Sequence, residues 1–89
     1  MEVDLELVRS IFRDVLANRM TREMADRWAL SMVQQSEAGA LIFAPEADRK
    51  RIWDGIMYLY GVDTLGGPGE YLHTDEDIRT AMQAKVGEI

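Results

Sequence analysis

An all-α domain of four helices, with a long loop before the last, is the fold this sequence predicts. Three observations carry it. Four segments place apolar residues three and four positions apart, the repeat of a helix face, while no segment sustains the alternation of a strand. The chain has 89 residues, two prolines and seven large aromatics, with 47% hydrophobic and 29% charged residues, a globular rather than a disordered composition. There is no cysteine, so neither a disulfide framework nor a thiolate zinc site can substitute for a packed core. A chain of this size buries roughly two thirds of its unfolded surface. One domain over residues 1–89 is therefore expected.

The first helix is read from Leu5, Val8, Phe12, Val15 and Leu16, which form one stripe opposite Glu6, Arg9, Arg13 and Asp14. Asn18 suits its end, because Asn tolerates the left-handed conformation. Thr21 is a good N-cap for the second helix, with Glu23 favourably placed against the dipole. Ala25, Trp28, Ala29, Met32 and Val33 form its inner stripe, and the helix should decay through residues 34–36 before Gly39.

Residues 40–44 (Ala, Leu, Ile, Phe, Ala) are apolar enough for a strand. No comparable partner segment is evident, and they read instead as a connector whose Leu41, Ile42 and Phe43 plug one end of the core. Pro45 suits the first position of a third helix, where its missing N–H costs nothing. Ile52, Trp53, Ile56, Leu59 and Tyr60 make its stripe, and Gly61 stops it. Gly55 inside this helix costs about 1 kcal/mol relative to Ala, which a close approach by a neighbouring helix would explain. Residues 61–73 form the long loop, with Gly66, Gly67, Pro68 and Gly69. Thr74 and Asp77 then resemble a capping box, and Ile78, Ala81 and Met82 lead a fourth helix to Gly87.

The charge is uneven. The formal net charge is −6, but residues 1–51 carry eight basic and nine acidic side chains, and residues 52–89 two basic and seven acidic. Nucleic-acid binding relies on basic charge that displaces counterions, so the acidic balance argues against it, while concentrated like charge steers an oppositely charged partner. The acidic start lacks the basic and apolar regions of a secretory signal. No apolar run approaches the roughly 20 residues of a membrane span. A cytoplasmic location, without membrane partners, is expected.

Catalytic constellations are thin. His73 is the only histidine, and no serine sits in a Gly-x-Ser-x-Gly turn. Asp75, Glu76 and Asp77 beside His73 fan about 100° apart on a helix, so they complement its dipole better than they converge on a metal. Gly66-Gly-Pro-Gly69 lacks the Lys-Ser/Thr of a phosphate-binding loop. Arg49, Lys50 and Arg51 read as a solvated helix face, with Glu46 placed to pair with Lys50 and Arg49 to lie over Trp53. No enzyme activity, cofactor or metal is expected. Tyr58, off the main stripe, and Tyr71, in the acidic loop, have the aromatic-beside-acid pattern of a protein-binding hot spot.

Three stretches carry a resemblance: Thr21-Arg-Glu-Met-Ala-Asp-Arg-Trp-Ala29, Trp53-Asp-Gly-Ile-Met-Tyr-Leu-Tyr-Gly-Val-Asp63 and Gly69-Glu-Tyr-Leu-His-Thr-Asp-Glu-Asp-Ile78. Together they resemble small uncharacterised bacterial proteins of about this length, which look like immunity partners of toxins. At class level the chain is similar to the acidic four-helix immunity proteins of nuclease bacteriocins, which neutralise a basic toxin through charge and aromatic contacts. The Tyr-Tyr-Pro motif of those proteins is missing here, and Tyr58-Leu-Tyr60-Gly61 only echoes it. The resulting expectation is a non-enzymatic protein-binding module, an immunity-type inhibitor of a basic toxin, contacting it through Tyr58, Asp63, Glu70, Tyr71, Asp75, Glu76 and Asp77. The alternative expectation is a structural or homo-oligomerising domain that pairs through residues 40–43.

Overall fold

The computed structural model describes residues 1–87 of the chain. Glu88, one of the seven acids of the second half, lies outside them. In order, the elements are strand β1 (Glu2–Val3), helices α1 (Leu5–Leu16) and α2 (Arg22–Glu37), strand β2 (Ile42–Phe43), a 3₁₀ turn (Glu46–Asp48), helix α3 (Arg49–Leu59), strands β3 (Leu65–Gly67) and β4 (Glu70–Tyr71), and helix α4 (Asp75–Val86). The protein is therefore mostly helical, though not purely α.

The helices start and stop for local reasons. Asp4 caps α1, its carboxylate accepting from the Leu7 amide at 2.8 Å. Thr21 caps α2, accepting from the Met24 amide at 3.1 Å, and Thr74 and Asp77 form a reciprocal capping box at α4. Just beyond α1, Asn18 takes φ 59°, as its side chain allows. Gly61 follows α3 at φ 90°, and its amide is held by the Asp26 carboxylate of α2 at 2.8 Å.

Leu5, Val8, Ile11, Phe12 and Val15 of α1 meet Ile52, Ile56 and Leu59 of α3 and Ile78, Met82 and Val86 of α4 in the core. Gly55 is the point of closest approach, as its occurrence inside a helix suggests. A Cβ there would stand 2.7 Å from Val8 Cγ1 and 2.9 Å from Val86 Cγ1. The inner stripes are otherwise less deeply buried than the sequence predicts. Trp28 and Trp53 are half-buried and pack against the core rim, and Tyr60, placed on the α3 stripe, is exposed.

Three connecting segments differ from expectation. Residues 42–43 are a strand whose partner is residues 2–3, in parallel register with Glu2 opposite Ile42 and Val3 opposite Phe43. The alternation sends Val3 and Phe43 into the core, while Ile42 faces outward. Only two residues long and 40 positions away, the partner has no periodicity to announce it. Pro45 does not open α3. It precedes the 3₁₀ turn, and the α-helix proper begins four residues later, at Arg49. The long loop contains an irregular hairpin, β3 against β4, pairing Leu65 with Tyr71 and Gly67 with Glu70.

Candidate functional site

The residues expected to form a contact surface are placed differently from one another. Tyr58 turns inward, stacking on Phe12 with ring centroids 5.9 Å apart and lying 5.1 Å from the His73 ring. Its hydroxyl is buried with no hydrogen-bond partner among the described residues. Burial, reinforced by the Asp77 charge, raises its pKa above the ordinary 10.0.

Tyr71 and Asp75 do come together, through a residue the sequence reading missed. The Arg22 guanidinium lies 4.4 Å from the centre of the Tyr71 ring, and its Nη2 meets Asp75 Oδ1 at 2.9 Å. Its Nη1 donates to the His73 carbonyl. Beside it the Tyr71 hydroxyl donates to Glu23 Oε2 at 2.8 Å, which holds Glu23 below and Tyr71 above their ordinary pKa values. Arg22 thus ties the start of α2 to β4 and the start of α4. A cation in the first turn of a helix opposes the dipole, and that misplacement is the sequence signal that could have singled it out. Asp77 is turned back to cap its own helix, and this backbone hydrogen bond lowers its pKa. Glu70 and Glu76 are exposed, and Asp63 is half-buried in the turn after α3.

A second region lies at the start of α3. Arg49, Lys50 and Arg51 fan around its first turn, roughly 100° apart. Arg49 lies over the Phe43 ring, 4.5 Å from its centre, and pairs with Glu46. Lys50 points outward, 86% exposed, and meets Asp54 at 2.7 Å. Arg51 reaches Asp48 at 3.9 Å and sits against Gly87 at the end of α4, where Arg9 donates to the Val86 carbonyl at 2.6 and 2.9 Å. The partners differ from those expected from spacing alone: Glu46 takes Arg49 rather than Lys50, and Arg49 covers Phe43 rather than Trp53. Between Arg49, Lys50, Trp53, Asp54, Phe43 and Ser36 of α2 there is a groove of about 270 Å³.

The two regions lie at opposite ends of α4. Its acidic first turn (Asp75, Glu76, Asp77) and its last residues, beside Arg51, are separated by the length of a 12-residue helix, roughly 18 Å. The Debye length at physiological salt is about 8 Å. The acidic end is therefore largely screened from the basic one. Among the described residues, no three His, Asp or Glu side chains are grouped to hold a metal ion, and no helix is long and apolar enough to cross a membrane.

A family model described as "YxzC DNA-binding protein" matches residues 2–84. The Bacillus subtilis (strain 168) "Uncharacterized protein YxzC" is 30% identical over 74 residues, which cover 83% of this chain and 54% of the relative. The chain thus spans about half the length of that relative. No solved structure matches the chain. The family description overturns two expectations, the immunity-type protein-binding module and a partner set without nucleic acid. The oligomerising alternative gains no support from it. The exclusion of nucleic acid rested on charge summed over the whole chain, which says nothing of where the basic side chains stand.

Proposed function

The chain belongs to the YxzC family, and on that premise we propose that it binds DNA without catalysis, meeting the phosphate backbone with Arg49, Lys50 and Arg51. The observation that carries the reading is the separation of this basic turn from the acidic start of α4. The side chains of Arg49, Lys50 and Arg51 are 58%, 86% and 46% exposed. Their ion pairs with Glu46, Asp54 and Asp48 are surface pairs, a class that contributes about 0–1 kcal/mol. A phosphate can replace such carboxylates at little cost, and counterion release then favours binding.

The test is fluorescence anisotropy of a labelled 20-base-pair duplex titrated with the chain between 50 and 200 mM salt. Three phosphate contacts give a slope of log affinity against log salt of about −3. The triple variant Arg49→Gln/Lys50→Gln/Arg51→Gln, checked for folding by circular dichroism, should lose most of this binding. Absence of binding at 50 mM salt, or a triple variant that binds as well as the parent, refutes the reading.

A further inference from the structure

The groove beside the basic turn has a composition that duplex backbone contact does not use. Arg49 and Trp53, and Lys50 and Asp54, stand four residues apart on neighbouring stripes of α3; Arg49 lies over the Phe43 ring and Lys50 pairs with Asp54 at 2.7 Å. Trp53 is half-buried and meets Phe43 edge to face, with centroids 6.2 Å apart and an interplanar angle of 75°. Phe43 is held from beneath by the β1–β2 pair and covered by Arg49, so it supports the Trp53 ring rather than offering a face of its own. Ser36 closes the groove from α2. The volume of about 270 Å³ is the share of roughly nine waters, room for one heterocyclic ring.

The groove is lined by two cations, an indole and one carboxylate, Asp54, which is 39% exposed and paired with Lys50 at 2.7 Å. Cations suit phosphates, and an aromatic ring suits the face of a base. A carboxylate only accepts hydrogen bonds. It therefore matches a base edge that presents an amino group, as cytosine N4 does, and opposes the carbonyl that thymine presents at the same position.

We propose that this groove holds one unpaired base of DNA, stacked against Trp53 with its flanking phosphates on Arg49 and Lys50, and that Asp54 selects cytosine over thymine. The assignment rests on the DNA-binding reading and adds to it a single-stranded component and a base preference.

The test uses the Trp28→Phe chain, which leaves Trp53 as the only indole, titrated separately with dC12, dT12 and a 12-base-pair duplex. Trp53 fluorescence should be quenched by dC12, with affinity about tenfold tighter than for dT12, the low end of what one good base-edge pairing supplies. Asp54→Ala, at a half-buried position, should bring the dC12 affinity down to that of dT12 and leave the quenching in place. Equal affinity for the two strands, or a preference that survives Asp54→Ala, overturns the base assignment. Duplex binding by anisotropy without Trp53 quenching by either strand overturns the groove and leaves the DNA-binding reading standing. Failure of all three DNAs to bind removes both.

Discussion

Replacing Gly55 with Ala sets two known effects against each other, and the structure decides the sign. In an exposed helix the change would stabilise by about 1 kcal/mol. Here the new Cβ would stand 2.7 Å from Val8 Cγ1 and 2.9 Å from Val86 Cγ1, where carbon atoms ordinarily sit about 3.5–4.0 Å apart. Both valines are fully buried and β-branched, so neither methyl can swing into solvent. Turning both off their rotamers costs about 0.5–1.5 kcal/mol each, and spreading the helices instead costs about 1–3 kcal/mol. After the propensity gain, a net loss of about 1 kcal/mol remains, a fall in Tm of about 4–8 °C for a domain of this size. Urea unfolding followed by far-ultraviolet circular dichroism measures it. Combining Gly55→Ala with Val8→Ala removes one of the two contacts, so the pair should cost at least 0.5 kcal/mol less than the sum of the single changes. A raised Tm for Gly55→Ala, or strict additivity in the double variant, would refute the claim that three helices meet at this glycine.

Two further outcomes concern the acidic end. The Asp77 carboxylate has a folded pKa below its ordinary 3.8, chiefly because it accepts from the Thr74 amide. Its contribution is therefore present above about pH 4 and is lost as pH falls through the folded value. Asp77→Asn should lower Tm at pH 7, and the difference from the parent should shrink toward zero in melts below pH 3. Tyr71→Phe should raise the Glu23 pKa, followed by carboxyl NMR, because the hydroxyl is the largest cause of its depression. Tyr71 itself has a raised pKa, so its link to Glu23 stabilises the fold below pH 10 and is lost as pH rises through the folded value. An unchanged Glu23 titration would show that the Tyr71–Glu23 hydrogen bond does not persist in solution.

Legibility followed the range of the interaction. Thr21, Thr74 with Asp77, and Asn18 could be read at once because a cap or a left-handed residue acts within three or four positions. The inner stripes of α1, α3 and α4 were legible because burial repeats with the helix, whereas Tyr60 failed because its helix ends one residue before it. Strand β2 was hidden by distance. A two-residue strand has no pattern of its own, and its partner comes at the other side of two helices. The grouping of Arg22 with Tyr71 and Asp75 was invisible for the same reason, since it spans about fifty positions.

By itself, the sequence determined four amphipathic helices, their caps, and a charge imbalance between the halves of the chain, all properties of neighbours along the backbone. Only the tertiary structure decided where those charges meet. It aligns α4 so that Gly87 meets Arg51 while Asp75 meets Arg22, placing an arginine of another helix at each end of it. A net charge carries no positions, and screening over about 8 Å makes position the quantity that any charged partner detects.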